Sequence, residues 1–223
     1  CMTIIIGAAS VWLTYRLGHK VFPGKPALAL GGAAVMAFNP QFLHMSGAVN
    51  NDVPAALCGA AVLLACVQLT QRGPSIRTDV LLGILYGLAL LTKFHLLALA
   101  APILLAYCIS VWDLRDWQSL LRGSFIVLAL ATLISGWWFW RNYALYGDPT
   151  GMRKVNELWA GRSPSGNWWA LRQGLPYLWS SFWGRFGYGQ IPLHQPVYQG
   201  LIGLCGLAVV GYLLPRRSAV PTT

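Results

Sequence analysis

The sequence predicts an all-α membrane protein, a polytopic bundle of about seven transmembrane helices with one long exoplasmic segment. Three observations carry this. Hydrophobic residues make up 56 % of the chain and charged residues 10 %, against about 25 % charged in an ordinary soluble domain. The apolar residues gather in unbroken runs of about 12 to 20, the length that crosses a hydrocarbon core, and they do not alternate as barrel strands do. Short basic turns separate the runs, and 11 Trp residues supply rings suited to the headgroup level. The net charge of +10 is spread thinly through those turns, so it reads as a topology signal and excludes a nucleic-acid face.

The elements follow in order. Met2–Leu17 is the first span, followed by Arg16, His19, Lys20 and Lys25 around the Pro23-Gly24 turn. Ala27–Phe42 is the second, broken by Pro40, and Val53–Leu69 the third, closed by Arg72, Gly73, Pro74 and Arg77. Asp79 is placed to cap the next helix, the short span Val80–Leu91, which ends at Thr92-Lys93-Phe94-His95. Leu96–Val111 and Gly123–Trp140 flank a charged turn running from Trp112 through Asp116 to Arg122. A polar, aromatic segment fills 141–195, and the last span runs from Pro196 or Val197 to Leu214 before Arg216-Arg217. The domain reading is one transmembrane domain, 1–223, whose segment 141–195 is an exoplasmic loop with an interfacial helix. The chain opens with Cys1-Met2-Thr3 inside an apolar run, which reads as an N-terminally truncated piece of a longer protein. Cys58, Cys66, Cys108 and Cys205 lack ligand spacing and read as small buried residues.

Alternation puts Arg16, Lys20, Lys25, Arg72, Arg77, Arg115, Arg122, Arg216 and Arg217 on one side, the cytoplasmic side by the positive-inside rule. The other side holds Lys93, the segment from Arg141, and the polar stretch Asn39–Asp52 between two uncharged runs. Asp52, one of six acidic residues, is the candidate catalytic carboxylate. Asn50, Asn51 or Asp52 could each cap the helix that follows, and a capping Asp can also face a cavity. His44 in the same stretch is either an interfacial histidine or a ligand. Lys93, with His95 beside it, either snorkels to the interface or offers a point charge to a phosphate. Arg141-Asn142 follows the Trp137–Trp140 belt as an anchor or a phosphate contact. Beyond them, Trp168–Arg172 and Leu175–Trp183 read as an amphipathic helix, and Arg185 stands among aromatic rings including Trp183. No Gly-rich phosphate loop, serine elbow or zinc helix is present in the sequence.

The ordered motifs Asn39-Pro40, Asn50-Asn51-Asp52, Leu90–Phe94, Trp138–Tyr143 and Tyr146–Pro149 resemble the polytopic glycosyltransferases of the C-type fold, the protein O-mannosyltransferases and aminoarabinose lipid A transferases. Ser181–Gly187 is more similar to a bacterial membrane family related to them. The resemblance covers about Asn39 to Tyr188. It implies a helix bundle in the cell envelope that transfers a sugar from a polyprenyl phosphate to a hydroxyl or amine on the exoplasmic face. By that resemblance Lys93 and Arg141 would lie near the donor phosphate and Asp52 near the cavity; Arg185 is a further candidate phosphate contact, and His44, Asn51, His95, Asn142 and Trp183 are candidate cavity residues. Relatives differ in their use of a divalent metal, so a divalent metal stays open as a cofactor and no ligands are assigned to it. They also carry an acidic residue in an upstream loop that this chain lacks, which implies that the piece alone is inactive. Two other classes stay open, a transporter or flippase for a lipid or small solute and a non-catalytic assembly subunit. The bilayer is a partner in all three.

Overall fold

The structure, a computed structural model, describes residues 2–112, 116–158, 167–187 and 189–214. The charged residues at 113–115, Tyr188 and the Arg216-Arg217 pair lie outside them. The chain divides into two compact units, Cys1–Pro164 and Ser165–Thr223. The first contains α1 (Met2–Val21), α2 (Pro26–Ala37), α3 (Pro40–Gly47), α4 (Asp52–Arg72) and α5 (Ile76–Thr92), then a 3-10 turn (Phe94–Leu99) leading into α6 (Ala100–Trp112), α7 (Trp117–Tyr146) and α8 (Met152–Leu158). The second contains α9 (Asn167–Trp183), the two-residue strands β1 (Arg185–Phe186) and β2 (Ile191–Pro192) paired antiparallel, and α10 (Gln195–Leu213).

Among the described residues, four helical stretches, Asp52–Arg72, Phe94–Trp112, Trp117–Tyr146 and Gln195–Leu213, are long and apolar enough to cross a membrane. Helices α2 and α5 are shorter, and α1 is less apolar. The protein is an all-α, multi-pass membrane protein, with one small hairpin added. At 30 residues, α7 measures about 45 Å against a hydrocarbon core of about 30 Å. Its last turns, with Arg141 and Asn142, therefore have room to stand clear of that core.

Two boundaries and one burial assignment depart from the sequence reading. The predicted span Ala27–Phe42 is interrupted at Pro40 as expected, but the break is a new helix start: α2 ends at Ala37 and Pro40 opens α3, capped by the Asn39 side chain accepting the Phe42 amide at 2.9 Å. Helix α5 begins at Ile76, and Ser75, not Asp79, caps it by accepting the Thr78 amide at 3.2 Å. The helix is thus 17 residues long, about 26 Å, and nearly spans the core. Of the four cysteines read as buried, Cys66 is buried, Cys58 and Cys108 are half-buried, and Cys205 is exposed on α10.

Helix α4 is the centre of the first unit and packs against α1, α5 and α6, while α7 closes over α5 and α6. The core lies between them, with Val62 and Leu69 of α4, Leu82 of α5 and Tyr107 of α6 fully buried. Gly83 and Gly87 sit one turn apart on α5. A Cβ on either would stand 2.8 Å from Leu130 Cβ or 2.9 Å from Ile134 Cβ of α7. Small residues at this spacing let two membrane helices approach until their backbones nearly touch. The bundle has two polar ends. At one, Asn51 of the α3–α4 connection reaches the Thr92 carbonyl at the end of α5. At the other, Gln71 near the end of α4 donates to the Lys20 carbonyl of α1 at 2.9 Å.

Candidate functional site

The first of these ends is built by a division of labour among three adjacent polar residues. Asn50 does the capping: its side-chain oxygen accepts the amides of Asp52 at 2.9 Å and Val53 at 3.3 Å. Its amide nitrogen donates back to the carbonyls of Met45 at 2.6 Å and Ala48 at 3.2 Å. With the helix opening satisfied, the other two side chains are released. Asn51 donates to the Thr92 carbonyl at 2.9 Å, and the Asp52 carboxylate pairs with Lys93 Nζ.

Lys93 is available because the chain breaks there. It ends α5 with extended backbone (φ −155°, ψ 128°) before the 3-10 turn starts. Its side chain is 35 % exposed and that of Asp52 36 %. An ion pair this wet stabilises the fold by about 0–1 kcal/mol, so its consequence is positional. It holds a cation at the mouth of a pocket of about 620 Å³ lined by Asn50, Asn51, Lys93, His95, Trp138 and Thr150, among others. Lys93 and His95 both line this pocket, just past the end of α5. Thr150 is fixed by the turn after α7, where Asp148 accepts the Thr150 amide at 3.0 Å and the Arg153 amide at 2.9 Å. Those amides, Arg153 first and then Thr150, hold the half-buried Asp148 carboxyl below its ordinary range.

The remaining candidates are distributed around this pocket or apart from it. The exposed Arg141 guanidinium lies 5.4 Å from the centre of the Trp138 ring, which lines the pocket. Asn142 is buried and ties α7 to the following turn by donating to the Pro149 carbonyl at 3.2 Å. His44 is exposed in the last turn of α3. Glu157, a carboxylate of the same long segment, is engaged locally with Lys154 at 3.2 Å and Arg153 at 3.6 Å on α8. Arg185 and Trp183 belong to the second unit. There Arg185 stacks 4.6 Å from the centre of the Tyr177 ring, beside a pocket of about 670 Å³, and Trp183 packs edge-on against Trp179. Among the described residues no three His, Cys, Asp or Glu side chains are grouped to hold a metal ion.

Sequence reasoning did not find Trp138 or Thr150 as lining residues, and left the capping residue undecided. It also missed an apolar groove of about 510 Å³ between α5, the 3-10 turn and α7, lined by Tyr86, Leu90, Leu97, Ala131 and Phe139 among others. Leu90 lines both the groove and the polar pocket. The apolar groove and the polar pocket therefore share a wall. Residues 1–140 of the chain match the family model for dolichyl-phosphate-mannose-protein mannosyltransferase. No curated protein and no solved structure matches the chain.

Proposed function

The chain belongs to the dolichyl-phosphate-mannose-protein mannosyltransferase family, and from that premise we propose that it contributes the donor site of a membrane glycosyltransferase that uses a polyprenyl-phosphate-linked sugar. The observation that carries the reading is the convergence of Asp52 and Lys93 at a pocket whose wall continues into the apolar groove. The isoprenoid occupies the groove between α5 and α7. The phosphate meets Lys93, with His95 and Asn51 as neighbouring polar contacts, and Arg141 adds long-range positive potential from behind Trp138. The face is exoplasmic, because Arg16, Lys20, Lys25, Arg72, Arg77 and Arg122 gather at the other end.

In the reaction an acceptor hydroxyl or amine forms a bond to the sugar's anomeric carbon as the bond from that carbon to the phosphate oxygen breaks. The electron pair leaves with the phosphate, whose growing charge Lys93 offsets. The acceptor's proton passes to a carboxylate. Asp52 takes that role once the donor phosphate displaces it as the counter-ion of Lys93, so donor arrival and base release are one event.

The test is equilibrium binding of a polyprenyl-phosphate sugar to the chain in nanodiscs. Lys93→Ala weakens binding about 10- to 100-fold, the value of one charge-assisted contact of about 1.5–3 kcal/mol. Arg141→Ala weakens it less, by about fivefold or below, since it acts at a distance. Unchanged affinity in both variants would falsify the donor-site assignment.

A further inference from the structure

At the opposite end of the first unit, we propose that a pocket between the last turns of α1, the α1–α2 turn and the end of α4 binds the headgroup of an anionic phospholipid. The cavity measures about 510 Å³ and is lined by Arg16, His19, Lys20, Pro23, Gly24 and Gln71. It is a formed cleft with fixed walls. Gln71 pins α4 to the Lys20 carbonyl, and α1 meets α2 so closely at Gly18 that a Cβ there would stand 2.9 Å from Ala29 Cα. Basic turns that only set topology need charge on the correct side and no cavity.

The charge balance points to an anion. Four helix ends meet here, the C-termini of α1 and α4 and the N-termini of α2 and α5, and their opposite half-charges cancel. That leaves the side chains: Arg16 and Lys20 in the wall, with Lys25, Arg72 and Arg77 on the adjoining turns. Among the described residues no carboxylate lies within ion-pair distance of any of these five. The described carboxylates in the sequence around this end are committed, Asp79 to Tyr107 and Arg122 in the interior and Asp116 to the start of α7.

Apolar surface beside the pocket selects a lipid over a free anion. Val21 and Phe22 are exposed next to it, and Trp12 is exposed with the Arg16 guanidinium 5.0 Å from its ring centre. Acyl chains lie along that surface while the phosphate sits among the cations, the arrangement by which basic clefts between membrane helices take anionic headgroups.

The experiment is titration of the purified chain in detergent with fluorescent phosphatidylglycerol and with phosphatidylcholine, with circular dichroism to verify that each variant keeps its helices. Phosphatidylglycerol binds in preference. The Arg16→Ala/Lys20→Ala double variant loses about 25-fold, at about fivefold per basic side chain. Arg16→Lys/Lys20→Arg keeps the affinity, and so does Lys154→Ala on α8. Equal binding of the two lipids overturns the proposal, as does a double variant that folds and binds normally. Displacement of the lipid by inorganic phosphate at constant ionic strength also overturns it, assigning the cleft to a free anion.

Discussion

Two lone carboxylates, at opposite ends of the same bundle, are handled in opposite ways. Asp52 and Asp79 each sit in the first turn of a helix, each was positioned to cap that turn, and in each case a neighbour, Asn50 or Ser75, does the capping instead. Asp52 then emerges about one-third exposed and pairs with Lys93 at the mouth of a pocket. Asp79 turns inward with no exposed surface, accepts the Tyr107 hydroxyl at 2.6 Å and faces Arg122 at 3.5 Å. Gly123 makes this possible, since a Cβ there would lie 2.4 Å from the Tyr107 ring. The same residue type is therefore sealed into the packing at one end and stays partly exposed beside a pocket at the other. What decides is whether the partner comes from a packed helix or from a break in one.

That comparison predicts a crossover. The largest effect is on ligand binding at the wet end: Lys93→Ala weakens polyprenyl-phosphate-sugar binding about 10- to 100-fold, while its melting temperature in detergent moves by the equivalent of about 1 kcal/mol or less. Asp79→Ala does the reverse. It costs about 2–4 kcal/mol of stability through an orphaned Tyr107 hydroxyl and a new cavity, measured as thermal unfolding in detergent, with donor affinity unchanged. Gly123→Ala forces α7 away from Tyr107 and costs about 1–3 kcal/mol, read in the same assay. Asp52→Asn is milder. It removes the carboxylate that competes for Lys93, so donor affinity stays level or rises, and a fall of tenfold would break the contrast between the two ends.

The smallest effect is a pH response of the turn after α7. The folded Asp148 carboxyl lies below the ordinary value of about 3.9 because backbone amides bond its charged form. The contribution is therefore full above that ordinary value and is lost as pH falls through the lower, folded one. Amide exchange at Thr150 and Arg153 should speed up under acid, and Asp148→Asn should show the fast exchange already at neutral pH.

Much of the fold was legible from composition. Uncharged runs announced the membrane helices, and Asn39-Pro40 is readable as a helix start once the cap is recognised. The start of α5 was missed because the acidic Asp79 drew the capping assignment from Ser75, three residues before Thr78, where the cap in fact sits. The site was half legible. Lys93 and Asp52 stand out because charges are costly within apolar sequence, yet nothing in their spacing shows that they meet. Their pairing depends on Asn50 taking the helix amides and on α4 and α5 lying side by side. Trp138 was read as part of an interfacial belt, and its place in the pocket wall is set by the packing of α7 on α5. The Gly83–Gly87 spacing that fixes this packing was present in the sequence and could have been used.

The most direct test of the central claim is to ask which end of the bundle holds the donor phosphate. A polyprenyl phosphate carrying a photoreactive group beside the phosphate, added at stoichiometric concentration to the chain in nanodiscs, marks its neighbours on irradiation. Labelled peptides should contain residues 49–54, 90–95 and Trp138. Label confined to residues 16–24 and 71, with none around Lys93, would contradict the account.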